Sequence, residues 1–110
     1  MNVYDTVNKL AEELKNSEEY INFKNAKQAI SLEPEYKIKI SDFEKVRYEE
    51  QLNRLKTGEK DEAKIEEMQN MYKELIEIPE IQKYFDAEFK FNVLLGDVNK
   101  IISEAVRDIV

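Results

Sequence analysis

Apolar residues recur at heptad spacing through the last third of the chain, and this pattern predicts one long helix. From Glu80 to Val110 there is no proline and one glycine, Gly96, so these 31 residues can form a single helix. At about 1.5 Å per residue that helix is roughly 45 Å long.

Three neighbouring rows make one side of this helix apolar, and we call this side the front face. The rows are Ile81, Glu88, Leu95, Ile102 and Ile109; Tyr84, Phe91, Val98 and Ala105; and Ala87, Leu94 and Ile101. So wide a stripe has to be covered by other helices, which a chain of 110 residues has few of. We therefore predict that a second copy of the chain covers it. The predicted oligomer interface consists of Ile81, Tyr84, Phe91, Leu94, Leu95, Val98, Ile101, Ile102 and Ala105.

Helical periodicity predicts four further helices, at about residues 3–15, 18–32, 35–56 and 62–77. Asn2, Ser17 and Asp61 are suited to cap the first, second and fourth of them. Gly58 suits the left-handed position after the third helix, and Pro79 suits the first turn of the fifth. Because all connections are short, we predict an all-α, five-helix antiparallel bundle with a long C-terminal helix, formed by residues 1–110 as a single domain.

A faint internal similarity appears at an offset of 61 residues. Glu13-Leu14 matches Glu74-Leu75, Ala26 matches Ala87, and Phe23 corresponds to Tyr84. A duplicated helix–break–helix unit would produce these matches, and so would helical patterning that arose by chance.

Composition narrows the functional classes. The chain carries 17 basic and 24 acidic residues, a net charge of −7, which disfavours binding to nucleic acid or to an anionic membrane surface. It has no cysteine and no histidine, so thiolate chemistry, cysteine-ligated clusters and the commonest general base are absent. Without a signal peptide or an apolar run of membrane-spanning length, a reduced cytoplasm is the expected location.

Adjacent acidic residues are the only catalytic raw material in quantity. Paired carboxylates can bind Mg²⁺ or act as acid and base, and Glu59 with Glu62 or Glu74 with Glu77 have the i, i+3 spacing for it. No such pairs gather on one helical face, so solvated surface carboxylates are the simpler interpretation. We predict no catalytic residue, metal site or cofactor.

Two features of the long helix invite a functional interpretation. Glu88 interrupts the front face, where it could set register, contribute to a polar interface, or reach the edge and pair with a cation. Phe89 and Val93 lie on the opposite side, where exposed apolar side chains would mark a second contact surface. We predict that these two residues dock a partner protein.

Several stretches of the chain resemble the YlbF/YmcA family of small helical bacterial proteins. They are Asn2-Val3-Tyr4-Asp5, Ser17-Glu18-Glu19-Tyr20 with Phe23-Lys24-Asn25-Ala26-Lys27, the block from Pro79 to Glu88, and Leu94-Leu95-Gly96-Asp97-Val98-Asn99-Lys100-Ile101-Ile102. The last two blocks are most similar to the YheA-like branch. One departure is Ile78, where the family often has asparagine before the proline.

The resemblance implies a self-associating helical bundle in the cytoplasm of a Gram-positive type of bacterium. The YlbF and YmcA branches regulate competence, sporulation and biofilm formation, act with a third protein, YaaT, and influence RNA processing through ribonuclease Y. Their cysteine-held iron–sulfur clusters do not carry over, because this chain has no cysteine.

The leading hypothesis is thus a non-enzymatic interaction module that forms homo-oligomers through its long helices and docks a regulatory or RNA-processing protein. The alternatives are a Mg²⁺-dependent carboxylate hydrolase acting on nucleotides, and a scaffold or chaperone-like protein without a dedicated partner.

Overall fold

The computed structural model describes residues 2–110, and these residues form five α-helices and no strand. The helices are α1 (Val3–Lys15), α2 (Glu18–Ser31), α3 (Pro34–Thr57), α4 (Glu62–Leu75) and α5 (Pro79–Ala105). The all-α class and the number of helices agree with the sequence prediction.

Local signals in the sequence place the ends of the helices. The side-chain oxygens of Asn2, Ser17 and Asp61 accept hydrogen bonds from backbone N–H groups in the first turns of α1, α2 and α4, at 2.8, 3.1 and 3.1 Å. Gly58 ends α3 in the left-handed conformation, with a φ of 74°. Each cap predicted from the sequence is therefore used.

Two helix ends differ from the prediction. Helix α4 stops at Leu75, and a turn leads to Pro79, because a proline disfavours helical geometry in the residue before it. Helix α5 stops at Ala105 and not at Val110. No glycine cap follows, and the last residues form turns in which the N–H groups of Ile109 and Val110 bond to the carbonyl of Val106, at 3.1 and 3.0 Å.

The described chain divides into two compact units. One contains the residues up to Lys27 and those from Tyr84 onward, and the other is Gln28–Lys83.

In the unit Gln28–Lys83, α3 and α4 pack in antiparallel orientation. The rings of Phe43 and Tyr72 lie 6.0 Å apart between centroids, and nearer the connecting loop Lys64 bonds to Glu49 at 2.9 Å. The buried apolar residues of this unit are Ile30, Ile40, Phe43, Leu75 and Ile81.

In the other unit, aromatic side chains hold α2 against α5. The ring of Tyr20 meets that of Phe91 edge-on, with centroids 5.8 Å apart. Phe23 lies at the same distance from both Tyr84 and Phe91. Because later residues of α2 contact earlier residues of α5, the two helices run in opposite directions here.

Candidate interaction surface

Helix α5 is continuous through Gly96, as the sequence predicts. A methyl group added at Gly96 would meet no other atom within 4 Å, so neither close packing nor an unusual φ requires a glycine there. The 27 residues from Pro79 to Ala105 form one rigid support for two apolar surfaces on opposite sides.

The front face of α5 becomes more exposed toward its C-terminal end. Ile81 has an exposed fraction of 0%, and Tyr84 and Ala87 are also buried. Phe91, Leu94, Leu95 and Val98 are half-buried. One turn further on, Ile101 is 68% exposed and Ile102 is 52% exposed. Ala105 is exposed as well.

This gradient corrects the predicted interface at two positions. Ile81 and Tyr84 belong to the core of their own chain, so they present no surface to a second copy. The heptad pattern could not reveal this, because a residue that packs against α2 and a residue that packs against another chain have the same periodicity. The accessible part of the predicted interface begins at Phe91.

Helix α1 contributes a further apolar surface to the same compact unit. No residue of Val3–Lys15 is buried, although Val3, Val7, Leu10 and Leu14 follow one helical face. Val3 and Val7 are exposed, whereas Leu10 and Leu14 are half-buried.

The side of α5 opposite the front face carries the two predicted docking residues. Phe89 is 68% exposed and Val93 is 47% exposed. Asp86 and Lys90 form an ion pair of 3.1 Å across one helical turn beside them, and both of these side chains are mostly exposed. Glu88, the charged residue of the front face, is half-buried.

The predicted acidic pairs do not come together as a metal centre. Glu59 lies in the loop before α4, whereas Glu62 is the first residue of α4. Glu74 lies within α4, and Glu77 lies in the turn after it. Nowhere in residues 2–110 are three or more carboxylates grouped so that they could hold a metal ion.

Two acidic residues of α3 have structural roles that the sequence analysis did not identify. Glu50 is buried and bonded to Arg54, and Glu49 is bonded to Lys64 of α4. The i, i+4 spacing of Glu50 and Arg54 was the available signal for the first pair. The Glu49–Lys64 pair joins residues 15 apart, so only the packing of α3 on α4 reveals it.

The Lys64 ammonium donates a hydrogen bond to the Glu49 carboxylate, and this bond with its charge attraction lowers the pKa of Glu49. The same hydrogen bond raises the pKa of Lys64. These shifts record a link between two helices and not a reactive group in a cleft.

An open, mainly apolar groove runs between α3 and α4. It is lined by Phe43, Met68, Gln69, Tyr72 and Lys73. The Arg47 guanidinium lies 5.7 Å from the centre of the Phe43 ring. Sequence analysis assigned Phe43, Met68 and Tyr72 to helix faces but did not indicate that a groove would remain between them.

Within residues 2–110, no helix combines the length and the hydropathy needed to cross a bilayer.

Comparison with known proteins gives one family match over nearly the whole chain. The profile described as control of competence regulator ComK, YlbF/YmcA, matches residues 3–107.

Relatives of similar length share about a third of their residues with this chain. A UPF0342 protein of Clostridium novyi is 36% identical over 108 residues, which cover 98% of this chain and 95% of that protein. A UPF0342 protein of Symbiobacterium thermophilum is 38% identical over 104 residues, with 94% and 93% covered. One from Caldicellulosiruptor bescii is 35% identical over 105 residues, with 96% and 88% covered. The names of these three relatives state no activity.

Proposed function

The chain belongs to the YlbF/YmcA family, and on that premise we propose that it is a non-enzymatic regulatory module that self-associates through α5 and docks a protein partner. The family description concerns control of a competence regulator. We extend it by proposing that this chain acts in developmental regulation or RNA processing, and that it belongs to the YheA-like branch.

The observation that carries self-association is the exposure of Ile101 and Ile102 on an intact helix. Both continue the front face, whose earlier residues are buried or half-buried. Full burial of an isoleucine side chain is worth about 1.5–3 kcal/mol. An isologous interface between two copies would bury each of these residues twice. Leu94, Leu95, Val98 and Ala105 would extend the contact.

A regulatory partner would recognise the assembled helices and not an isolated chain. A helix that presents apolar surfaces to a protein partner needs a fixed orientation, and self-association supplies it without a larger fold. The accessible apolar residues of α1 lie in the same compact unit as the C-terminal half of α5, so they are available to the same assembly.

Light scattering on purified chains tests the proposal. The wild-type chain should have a molar mass that is a multiple of 13.1 kDa, and the Ile101→Ser/Ile102→Ser variant a lower mass at the same concentration. The matched control is Ile38→Ser/Leu55→Ser, which removes two exposed apolar side chains from α3 and should leave the mass unchanged. Equal masses for the wild type and the α5 variant would contradict self-association through this surface.

A second measurement addresses the non-enzymatic part. The chain should show no turnover of nucleoside triphosphates in the presence of Mg²⁺ or Mn²⁺. Turnover that disappears in a Glu74→Gln/Glu77→Gln variant would instead favour the hydrolase.

A further inference from the structure

The side of α5 that carries Phe89 and Val93 forms a continuous exposed surface, which we call the back face. Its central rows contain Asp86, Val93 and Lys100 on one side and Phe89 and Gly96 on the other. All five residues are exposed, and none of them contributes to the core. The back face is therefore free to contact another molecule along about four helical turns.

Gly96 is the residue of this surface that the isolated chain does not explain. Glycine destabilises a helix interior relative to alanine, and here it has no positive φ and no close neighbour. A glycine on a helix surface lets another helix or a large side chain approach the backbone closely. The only large aromatic side chain of the back face, Phe89, lies one heptad before it.

The charges bordering the back face are complementary to their own reversed order. At heptad spacing, one edge row reads Lys83, Lys90, Asp97 and Glu104, that is, two basic residues followed by two acidic ones. When two identical helices pair in antiparallel orientation, their two-fold axis brings each edge row beside the same row of the other copy. Lys90 of each copy then lies opposite Asp97 of the other.

The three rows place the two-fold axis at the same level of the helix. In the edge row, the midpoint between Lys90 and Asp97 falls between residues 93 and 94. In the next row, Asp86 and Lys100 are also of opposite charge, and their midpoint is Val93. These levels differ by less than one residue, which is under about 1.5 Å along the helix axis.

The third row agrees with the first two. The midpoint between Phe89 and Gly96 falls between residues 92 and 93, so an axis beside Val93 brings the Phe89 ring of each copy over Gly96 of the other. Val93 then meets its own counterpart at the centre. A parallel pair would instead bring the charged edge row beside the row that contains Asn92 and Asn99, which has no charge to match it.

We propose that the back face of α5 pairs in antiparallel orientation with the back face of a second copy, about a two-fold axis beside Val93. The occupant is thus the same chain and not the different protein that the sequence analysis assigned to Phe89 and Val93. Asp86 and Lys90, which bond to each other within one chain, exchange this partner for Lys100 and Asp97 of the other copy.

This interface lies on the opposite side of α5 from the front face, so it goes beyond the proposed function and does not depend on it. If both surfaces associate, two different isologous contacts meet in one assembly, and four copies can close on each other. If only the back face associates, the assembly is a dimer.

Charge exchange tests the pairing. Lys90→Glu places an acidic residue opposite Asp97, and Asp97→Lys places a basic residue opposite Lys90, so each single variant should weaken association about tenfold or more in sedimentation velocity. The double variant Lys90→Glu/Asp97→Lys keeps the net charge of −7 and should restore wild-type association. The matched control is Lys24→Glu on α2, which changes the net charge as Lys90→Glu does and should have no effect.

A second variant tests the central contact without a change of charge. Gly96→Leu improves helix propensity and meets no atom of its own chain, but its side chain would occupy the place of the Phe89 ring of the other copy. We expect an unchanged or higher helix content in circular dichroism together with weaker association.

The results separate the two interfaces. Association that is restored by the double exchange supports the back-face pair, whether or not Ile101→Ser/Ile102→Ser has an effect. Masses that are unchanged in both single variants overturn it, even if the front-face variant dissociates. Loss of a different protein from pull-downs with Phe89→Ser bait, without any change in mass, also overturns it in favour of a docking site for that protein.

Discussion

Arg54 donates hydrogen bonds to both carboxylate oxygens of Glu50, at 2.9 and 2.8 Å, while the Glu50 side chain is only 1% exposed. A third bond from the Arg54 Nε atom, at 3.2 Å, completes the contact. The guanidinium remains about half exposed, so Arg54 compensates the buried carboxylate while keeping part of its own hydration. The pair lies in α3, in the unit that contains the α3–α4 contact.

Removal of Arg54 should destabilise the fold more than removal of a surface cation does. Arg54→Ala leaves a buried carboxylate without its partner, and we expect a loss of about 2–3 kcal/mol in the free energy of unfolding, measured by urea denaturation. Lys56→Ala, in the same helix turn, should cost less than about 0.5 kcal/mol.

Replacement of both members should be better tolerated than replacement of one. The Glu50→Leu/Arg54→Leu double variant removes the buried charge together with its partner, and its stability should lie closer to wild type than that of Arg54→Ala. A double variant less stable than Arg54→Ala would show that the ion pair itself, and not the unpaired charge, determines the difference.

Stability should decrease in acid through Glu49. Because Lys64 lowers the pKa of Glu49 in the folded chain below the ordinary value of 4.5, the pair stabilises the fold above that value. The stabilisation is lost as the pH falls through the lowered folded pKa. Lys64→Gln should therefore flatten the acid limb of a plot of urea midpoint against pH, whereas Lys60→Gln should leave it unchanged.

The two glycines should respond in opposite directions to alanine. Gly58→Ala forces a side chain into a φ of 74° and should lower stability by about 1 kcal/mol. Gly96→Ala adds a methyl group into open space within a helix and should raise the stability of the dilute chain by about 0.5–1 kcal/mol. Thermal melts at the lowest workable concentration measure both, and a stabilising Gly58→Ala would contradict the role of Gly58 as helix cap.

The aromatic contacts of α2 with α5 should be the most sensitive packing in their unit. Phe23 lies 5.8 Å from both Tyr84 and Phe91, and it is half-buried. Phe23→Ala should cost about 2 kcal/mol, less than a fully buried phenylalanine. Ile21→Ala, on an exposed part of the same helix, is the control and should have little effect on the urea midpoint.

Helix positions were predictable because their signals are local. Asn2, Ser17 and Asp61 act on backbone groups two or three residues away, and Gly58 acts on the turn to which it belongs. The end of α5 was not predictable from periodicity, because Val106 and Ile109 keep the apolar spacing after the helix has ended. The single-domain organisation remains a prediction.

The internal similarity gains a structural counterpart without being decided. A shift of 61 residues carries the first residue of α2, Glu18, onto Pro79, the first residue of α5. It also relates Phe23 to Tyr84, whose rings are in contact. Duplication would account for both, but common helix lengths would as well.

The candidate surface could be predicted only in part. Heptad spacing identified the apolar rows of α5, but it could not distinguish Ile81, which is buried by its own chain, from Ile101, which is exposed. That distinction depends on how far α2 extends along α5. The role of Glu50 was missed for the related reason that burial of a charged residue depends on surrounding helices and not on its neighbours in sequence.

Sedimentation equilibrium of the wild-type chain, from about 1 to 100 μM, tests the central claim most directly, namely that α5 exposes apolar surface for a second copy to cover. The account predicts a mass that rises with concentration toward a multiple of 13.1 kDa. A mass that stays at 13.1 kDa over the whole range would contradict it.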